Sequence, residues 1–453
     1  MTKLSKFIFI CQNCGYQTPK WLGKCPDCGK WDSIIEETSS DLVVNLSTLS
    51  TTMSDPLGIS SISFTPDNKI KTGLNEFDRA IGGGIVPGSL LLLGGEPGIG
   101  KSTLILQVAG KLSQNGLKTV YLSGEESAQQ IKLRAERLSI NSDNIFIITG
   151  TRIEEFFDKI ESIKTDFLVI DSIQTTYTDT LPSAPGSVGQ IREVSAKLLR
   201  WSKGKSIPSF LIGHITKEGA IAGPKVLEHL VDTVLYFEGD NSHTFRIIRT
   251  VKNRYGSTNE IGVFEMKETG LVQVGNPSRI FLEERPENAS GSVVISCIEG
   301  TRPLLLEIQA LVGPSPLGMP RRTAVGVDHN RISLLVAVLA KRIGLELGDQ
   351  DIFVNVAGGL RVDEPAADLG IVSAMISSFL NKPVDPEMVI FGEVGLAGEV
   401  RGVIQPEKRI REAEKMGFTK CILSKSNLES CRSPYNLNMY GVTSVSDLMD
   451  ILF

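Results

Sequence analysis

The chain has no long hydrophobic run. Every apolar stretch stays short of the roughly 18 residues that a membrane-spanning helix needs, and Phe7–Ile10 is too short for the apolar part of a secretory signal. Aromatic residues make up only 6% of the 453 residues, and a formal net charge of −5 gives no global field that attracts nucleic acid. We therefore expect a soluble cytoplasmic protein without a membrane partner, in which any polyanion site is a local basic patch.

Composition divides the chain into four segments. Residues 1–32 contain four clustered cysteines, and residues 33–56 are predicted to be a flexible linker. Nine of the 17 residues from Thr38 to Ser54 are Ser or Thr, so this stretch can bury little apolar surface. Residues 57–285 and 286–453 each show an α/β pattern, and the polar stretch Glu284–Asn288 is the expected boundary between them.

Short apolar runs alternate with helical patterns in the third segment, as in a parallel sheet with crossover helices. Residues 231–274 favour further strands and hairpins, and the last segment carries helical patterns at Arg331–Ile343 and Asp368–Leu380. The predicted strands are Leu90–Leu93, Thr119–Ser123, Ile145–Thr149, Phe167–Asp171 and Phe210–Gly213. The predicted helices between them are Lys101–Leu112, Ser127–Leu138 and Val188–Trp201.

A phosphate-binding loop follows the first of these strands. The stretch from Gly95 to Ser102 fits G-x-x-x-x-G-K-[ST], and it lies between an apolar strand and a helix as this motif requires. Lys101 is expected to reach the β- and γ-phosphates of ATP, and Ser102 to coordinate Mg²⁺. The residues expected around the nucleotide are Gly95, Glu96, Pro97, Gly98, Ile99, Gly100, Lys101, Ser102 and Thr103.

Hydrolysis also needs a carboxylate near the metal and a group that orients water. Asp171 ends an apolar strand and is the candidate for the Mg²⁺ shell, although it could instead cap the next element. Glu125 stands just past the strand Thr119–Ser123 and is the candidate general base, whereas Glu126 is expected to begin a helix.

The four N-terminal cysteines form two pairs, Cys11-x₂-Cys14 and Cys25-x₂-Cys28. Two such pairs offer four thiolates to one tetrahedral ion, which predicts a Zn²⁺ finger, with iron as the open alternative. A segment of about 30 residues makes little core of its own, so metal binding would supply its folding energy.

Together these motifs resemble those of the bacterial RadA/Sms family of DNA recombination and repair ATPases. The resemblance rests on the four-cysteine finger, on the stretch from Thr72 to Gly84 that leads into the phosphate loop, and on a basic pentapeptide near residue 254. The family's pentapeptide usually has Phe at its fourth position, where this chain has Tyr. The five residues are Lys252, Asn253, Arg254, Tyr255 and Gly256.

This resemblance implies a RecA-like core that assembles into a homo-hexamer, binds single-stranded and branched DNA, and drives branch migration with the RecA recombinase. It implies that Arg254, with Lys252 as a second candidate, reaches the nucleotide of a neighbouring subunit. His214 and Lys217 follow the strand Phe210–Gly213, where the resemblance implies γ-phosphate sensing and DNA contact. From the residues alone, the pentapeptide could be a solvated basic turn and His214 a core histidine.

The last segment resembles the proteolytic domain of Lon without its catalytic pair. Ala366 stands at the position of the Lon serine, and an ungapped comparison through Gly392–Gly398 puts Glu407 at the position of the lysine. Without these groups acyl transfer has no nucleophile. We therefore expect a scaffold rather than a peptidase, whose basic residues contact DNA or are plain surface charges; they are Arg321, Arg322, Lys341 and Arg342.

One different class of function stays open from the sequence. A RecA-like regulatory ATPase that acts on protein partners without DNA would fit the same phosphate loop and ring, but it would not explain the pentapeptide.

Overall fold

The computed structural model describes residues 7–11, 16–26, 29–38, 69–214, 225–239, 245–258, 260–315, 320–431 and 434–453. The chain forms two compact units, Met1–Gln273 and Val274–Phe453. No helix in these described ranges is both long and apolar enough to cross a bilayer.

The N-terminal ribbon has three short antiparallel strands in the order β2-β1-β3. Among the described residues of the ribbon, the buried centre is Cys11, Cys25 and Ile34, with Phe9 packed against them. Such a centre buries too little apolar surface to hold a fold by itself, which agrees with a metal-dependent domain. The strands are β1 Phe7–Cys11, β2 Gln17–Thr18 and β3 Ile34–Thr38.

The rest of the first unit is built on a nine-stranded sheet in the order β12-β11-β10-β9-β4-β8-β7-β5-β6. Its strands are β4 Leu90–Gly95, β5 Thr119–Ser123, β6 Ile145–Thr149, β7 Phe167–Asp171, β8 Ser209–His214, β9 Thr233–Glu238, β10 Phe245–Asn253, β11 Ile261–Lys267 and β12 Gly270–Gln273. Its helices are α1 Asn75–Ala80, α2 Lys101–Gln114, α3 Ala128–Arg137, α4 Ile153–Ile160, α5 Val188–Lys205 and α6 Lys225–Leu230.

Strands β9 to β6 in this order run parallel, and β10, β11 and β12 extend the sheet as antiparallel strands. Strand β4 is apolar throughout because its alternate residues face two different core layers. Leu91 and Leu93 face the layer that contains α2, whereas Leu90 and Leu92 face the layer that contains α4 and α5. A strand that is covered on both faces has no polar side to alternate with.

The second unit is another α/β structure, with a seven-stranded sheet in the order β15-β16-β14-β13-β17-β20-β21 and a separate β18-β19 pair. Its strands are β13 Ser292–Glu299, β14 Arg302–Pro314, β15 Arg322–Val325, β16 Gln350–Val356, β17 Met388–Ile390, β18 Glu393–Val394, β19 Val400–Arg401, β20 Lys420–Ser424 and β21 Asn438–Val442. Its helices are α7 Pro277–Leu282, α8 His329–Arg342, α9 Asp368–Leu380, α10 Pro406–Lys415, α11 Lys425–Ser430 and α12 Val445–Leu452.

The strands and helices predicted from periodicity are confirmed, most with ends that differ by one to four residues. The four-part division of the chain stays a proposal, but the contacts of residues 274–285 favour an earlier last boundary. Ser278 Oγ donates to a carboxylate oxygen of Glu412 at 2.8 Å, and Leu282 packs on the core of the second unit. The ribbon likewise extends beyond residue 32, because its strand β3 ends at Thr38.

Candidate nucleotide-binding site

The phosphate loop connects the carboxyl end of β4 to the first turn of α2. A side chain at Gly95 would meet the Phe237 carbonyl oxygen at 2.7 Å, so only glycine lets the loop leave the sheet here. Gly100 is the N-cap of α2 and has a φ of +114°, a conformation that glycine adopts without strain. The loop therefore meets the positive end of the α2 dipole, which suits a bound anion.

Lys101 folds back over this loop. Its Nζ donates to the carbonyl oxygens of Gly95 and Glu96, each at 2.8 Å. Burial lowers the pKa of the ammonium group to about 8, against the opposing effect of Asp171, Glu125 and Glu96. Lys101 is thus a cation that lies within the loop and is poorly solvated there, so phosphate oxygens would be strong partners for it.

Asp171 ends β7 beside the loop and is buried. The hydroxyl of Tyr121, on the neighbouring strand β5, donates a hydrogen bond to Asp171 Oδ2. Burial, followed by the Asp171 carboxylate, raises the pKa of Tyr121 well above its usual value. Tyr121 therefore stays a neutral donor that fixes one carboxylate oxygen and leaves the other for a metal ion. Residues Ser102 and Asp171 fit an Mg²⁺ site, because both offer oxygen ligands.

Glu125 is held by two donors on the same oxygen. Ser172 Oγ donates to Glu125 Oε1, and His214 Nε2 lies 3.1 Å from that oxygen, which requires the proton on Nε2. These hydrogen bonds, that of His214 first, lower the pKa of Glu125 to about 2. The carboxylate is therefore ionised at neutral pH. Its other oxygen, Oε2, has no partner within the described ranges and can accept a proton from water.

These residues meet because of the strand order. β4, β8, β7 and β5 are neighbours in the sheet, so their carboxyl ends bring together Lys101, His214, Asp171 and Glu125. Ser172 and Tyr121 are not among the residues predicted from the sequence. Ser172 could have been found, because it directly follows the predicted metal ligand Asp171. Tyr121 could not, because it contacts Asp171 only through the pairing of β5 with β7, which the sequence does not reveal.

The pentapeptide lies at the other end of β4. Asn253 pairs with Thr233, and Thr233 pairs with Leu91, four residues before Gly95. At about 3.3 Å per residue, this places the pentapeptide about 13 Å from the phosphate loop of the same chain along the strand direction, and β10 also lies two strand spacings of about 4.8 Å to the side of β4. Arg254 is half-exposed, and its Nη1 lies 3.2 Å from Asp232 Oδ1.

Lys252 has a different environment from Arg254. Its Nζ donates to the carbonyl oxygens of Glu228 at 2.6 Å and Val231 at 2.9 Å, at the carboxyl end of α6. Asn253 Nδ2 donates to the Ile81 carbonyl oxygen at 3.2 Å. Lys252 and Asn253 therefore hold the local backbone, and Arg254 is the cation of this segment with room to reach outward.

Curated proteins give a decisive comparison. The chain is 51% identical to the DNA repair protein RadA of Bacillus subtilis (strain 168) over 449 residues, which cover 98% of each chain. The chain belongs to the RadA family. The RadA proteins of Halalkalibacterium halodurans and Listeria monocytogenes are 49% and 48% identical, and the matches cover 98% and 97% of both chains. The resemblance inferred from the motifs is confirmed, and the RadA-family chain is a DNA repair ATPase.

Three family models match parts of the RadA-family chain: a rubredoxin metal binding domain at residues 9–36, the KaiC ATPase at residues 70–147 and subunit ChlI of Mg-chelatase at residues 317–427. Among solved structures, one ATPase domain is 16% identical with a TM-score of 0.40, covering 46% of this chain and 93% of that chain. The KaiC-like protein PH0186 of Pyrococcus horikoshii OT3 is 24% identical with a TM-score of 0.38, covering 46% and 98%.

The predicted fold class is confirmed: α/β, with a RecA-like phosphate-loop core, an N-terminal four-cysteine ribbon and a Lon-protease-like C-terminal domain. Cys11 and Cys25 are both buried in the centre of the ribbon, as two ligands of one ion should be. Cys14, Cys28 and Lys217 lie outside the described residues. The arrangement of Cys11 and Cys25 fits the zinc that the ribbon model suggests.

The turn around Ala366, which the sequence analysis matches to the serine turn of Lon, contains no serine, threonine or cysteine. Ala366 is buried in a short 3₁₀ turn, Pro365–Ala367. Glu407, which the ungapped comparison matches to the Lon lysine, lies on α10, where its Oε2 is 3.7 Å from Arg411 Nη2. The neighbouring Glu364 is paired with the fully buried Arg409, whose Nη1 also donates to the Ser296 carbonyl oxygen at 2.7 Å. This ion pair fixes the turn as a structural element.

Ser172→Ala should lower kcat for ATP hydrolysis about tenfold and leave KM for ATP almost unchanged, because the hydroxyl orients Glu125 without contacting the phosphate loop. Loss of its hydrogen bond should also raise the pKa of Glu125 from about 2 towards the ordinary value. A base with a raised pKa is protonated at higher pH, so the variant should lose activity at a higher pH than the unmodified protein when it is acidified. The pH profile of kcat measures this shift.

Ser195→Ala is the matched control, because Ser195 is a buried serine whose hydroxyl has no partner among the described residues. Ser172→Thr keeps the hydroxyl and should recover most of the rate. An unchanged pH profile in Ser172→Ala would show that Ser172 does not orient Glu125.

Proposed function

We propose that this RadA-family chain is a DNA-dependent motor ATPase of homologous recombination and repair, working in the cytoplasm. As a homo-hexamer it binds single-stranded and branched DNA and drives branch migration together with the RecA recombinase. One observation carries the proposal: the anion-binding loop, a metal-side carboxylate and an oriented base meet at the carboxyl edge of four adjacent strands.

Each residue of this edge has a distinct role. Lys101 leaves the loop carbonyls and donates to the β- and γ-phosphate oxygens of ATP. Ser102 and Asp171 would hold Mg²⁺, which would neutralise charge on the phosphates. Glu125 Oε2 accepts the proton of the attacking water, while Oε1 stays bound to Ser172 and His214.

Hydrolysis is completed by a second subunit. The transferring phosphoryl group carries negative charge that a guanidinium stabilises. Arg254 is about 13 Å from the phosphate loop of its own chain along the strand direction alone, a separation beyond the reach of an arginine side chain. Its exposed position suits a contact with the nucleotide of the adjacent subunit, and this contact would couple hydrolysis to assembly.

The C-terminal domain serves as a scaffold of the ring and not as a protease. Its turn at Ala366 offers no hydroxyl or thiol as a nucleophile. The ion pair between Glu364 and the buried Arg409 holds this turn in place. Arg321, Lys341 and Arg342 are exposed and Arg322 is half-buried, so they can contact DNA phosphates.

Glu125→Gln should reduce kcat by about two to three orders of magnitude, because glutamine keeps the shape of the side chain but cannot accept the proton of water. Nucleotide binding should persist, since the phosphate loop is unchanged. Glu126→Gln is the control: Glu126 lies on the same segment but is paired with Arg134. Steady-state turnover and nucleotide binding are measured on both variants, and equal rates in the two would remove the role of Glu125.

Stimulation by DNA separates the motor from a regulatory ATPase that acts on protein partners. ATP turnover is measured with and without single-stranded DNA, at low and at high salt. A motor should be stimulated, and the stimulation should fall as salt rises, because phosphate contacts release counterions. No stimulation and no binding at low salt would favour the regulatory ATPase.

A further inference from the structure

Two of the three tryptophans of the chain are exposed on the N-terminal ribbon. Trp21 is 57% exposed and Trp31 is 68% exposed, whereas Trp201 is half-buried against Phe157 in the ATPase core. Indole rings are costly to leave in water on so small a domain. Exposure of both rings indicates a binding partner that covers their faces.

The two rings border one glycine. A side chain at Gly23 would begin 3.5 Å from Cη2 of Trp21 and 3.9 Å from Cζ3 of Trp31, so both indoles line the space above this residue. Trp21 is fixed there, because its Nε1 donates to the Ile34 carbonyl oxygen at 3.0 Å. The backbone amide of Asp32 donates to the Gly23 carbonyl oxygen at 2.8 Å and holds the segment of Trp31 against that of Trp21. We call Trp21, Gly23 and Trp31 the indole cleft.

Cations surround the indole cleft. The Lys24 ammonium lies 5.5 Å from the centre of the Trp31 ring, and each tryptophan directly follows an exposed lysine, Lys20 or Lys30. Over residues 16–26 and 29–38, these three lysines are the cations, and the acidic residues Asp32, Glu36 and Glu37 all follow Trp31 in the sequence. Exposed aromatic rings next to cations are suited to bind single-stranded nucleic acid. Its bases can stack on the rings, and the cations can neutralise its phosphates.

We propose that the indole cleft is a binding site for single-stranded nucleic acid, in which a base stacks on Trp31 and the lysines contact the flanking phosphates. Stacking on an indole does not depend on the identity of the base, so the site takes single strands of any sequence. The nearest alternative occupant, a protein that buries the tryptophans as anchor residues, is separated by the experiment below. The site rests on the proposed action on DNA and adds a second point of contact, which needs no nucleotide.

The test uses the full chain with its metal bound and the substitution Trp201→Phe, which leaves Trp21 and Trp31 as the only tryptophans. An oligothymidylate of about 15 nucleotides is titrated without ATP at low salt, while indole fluorescence and the anisotropy of a label on the DNA are followed together. We expect the fluorescence to be quenched in step with binding, and both signals to weaken as salt rises. An abasic strand of the same length should bind without quenching, because it has phosphates but no bases.

Two variants then address the cleft itself. Trp31→Ala removes one stacking face, and Gly23→Leu fills the space while keeping both indoles. Each should weaken the quenching titration about tenfold, with the metal content of the protein unchanged. Gly23 has no left-handed backbone angle, so leucine is not strained there.

Binding by anisotropy without quenching would overturn this site and leave the motor intact. No binding in either signal would also overturn this site, while the motor is judged separately by the stimulation of ATP turnover. If Trp31→Ala left the DNA titration unchanged but abolished binding of purified recombinase, the indole cleft would be a protein-docking surface instead.

Discussion

Lys101→Ala should reduce ATP hydrolysis by at least about a hundredfold, to the background of the assay. The ammonium group of Lys101 is buried in the phosphate loop, where it donates to the carbonyl oxygens of Gly95 and Glu96. In the complex with ATP, the same N–H groups would donate to the β- and γ-phosphates. Without Lys101, the negative charge that develops on these phosphates during hydrolysis would lack its nearest cation. Removal of one donor of this kind costs about 10²- to 10³-fold in rate.

The matched control for this prediction is Lys111→Ala. Lys111 lies on the same helix α2, but it is exposed and far from the loop. Circular dichroism and thermal unfolding of both variants exclude a folding defect as the cause of lost turnover. Unaltered turnover in Lys101→Ala would refute the assignment of the phosphate loop.

Arg254→Ala should lower turnover by about three orders of magnitude or more, the effect of losing an arginine finger. Because Arg254 lies at the far end of β4 from its own nucleotide, the loss should be repaired by a neighbour. Arg254→Ala subunits have intact phosphate loops, and Lys101→Ala subunits have intact arginines. Mixed at equal concentrations, they should recover part of the activity that neither has alone.

Lys203→Ala provides a control with the same surroundings. The side chains of Lys203 and Arg254 are each 49% exposed, and both approach Asp232 Oδ1, at 3.8 Å and 3.2 Å. Removing Lys203 therefore perturbs Asp232 without removing the guanidinium, and turnover should stay close to normal. If mixed rings form, as seen by co-purification of two differently tagged variants, and no activity returns, Arg254 does not act across the interface.

The parts of the site that could be predicted are those encoded by neighbouring residues. The phosphate loop depends on a spacing of eight residues between a strand and a helix, and Asp171 is marked by the apolar run that it ends. Helix α9 matches the predicted range Asp368–Leu380, because apolar residues recur along it from Leu369 to Leu380.

The contacts between distant segments could not be predicted in this way. The hydrogen bonds of Glu125 with Ser172 and His214 exist because β5, β7 and β8 are adjacent in the sheet, an order that spacing along the chain does not determine. The same holds for Arg409, which lies 45 residues from its partner Glu364. The pentapeptide shows a further limit: its residue types make Lys252 and Arg254 comparable candidates, whereas the fold binds Lys252 to the end of α6 and leaves Arg254 half-exposed.

The loop around Lys101 must bind the terminal phosphates of a nucleoside triphosphate if any of the catalytic roles proposed above is to hold. The most direct measurement is equilibrium binding of a non-hydrolysable ATP analogue to the full chain, with and without Mg²⁺, compared with Lys101→Ala and Lys111→Ala. We expect Mg²⁺-dependent binding that Lys101→Ala weakens at least about tenfold and that Lys111→Ala leaves unchanged. Absence of any affinity for the analogue, or equal affinity in all three proteins, would contradict the account.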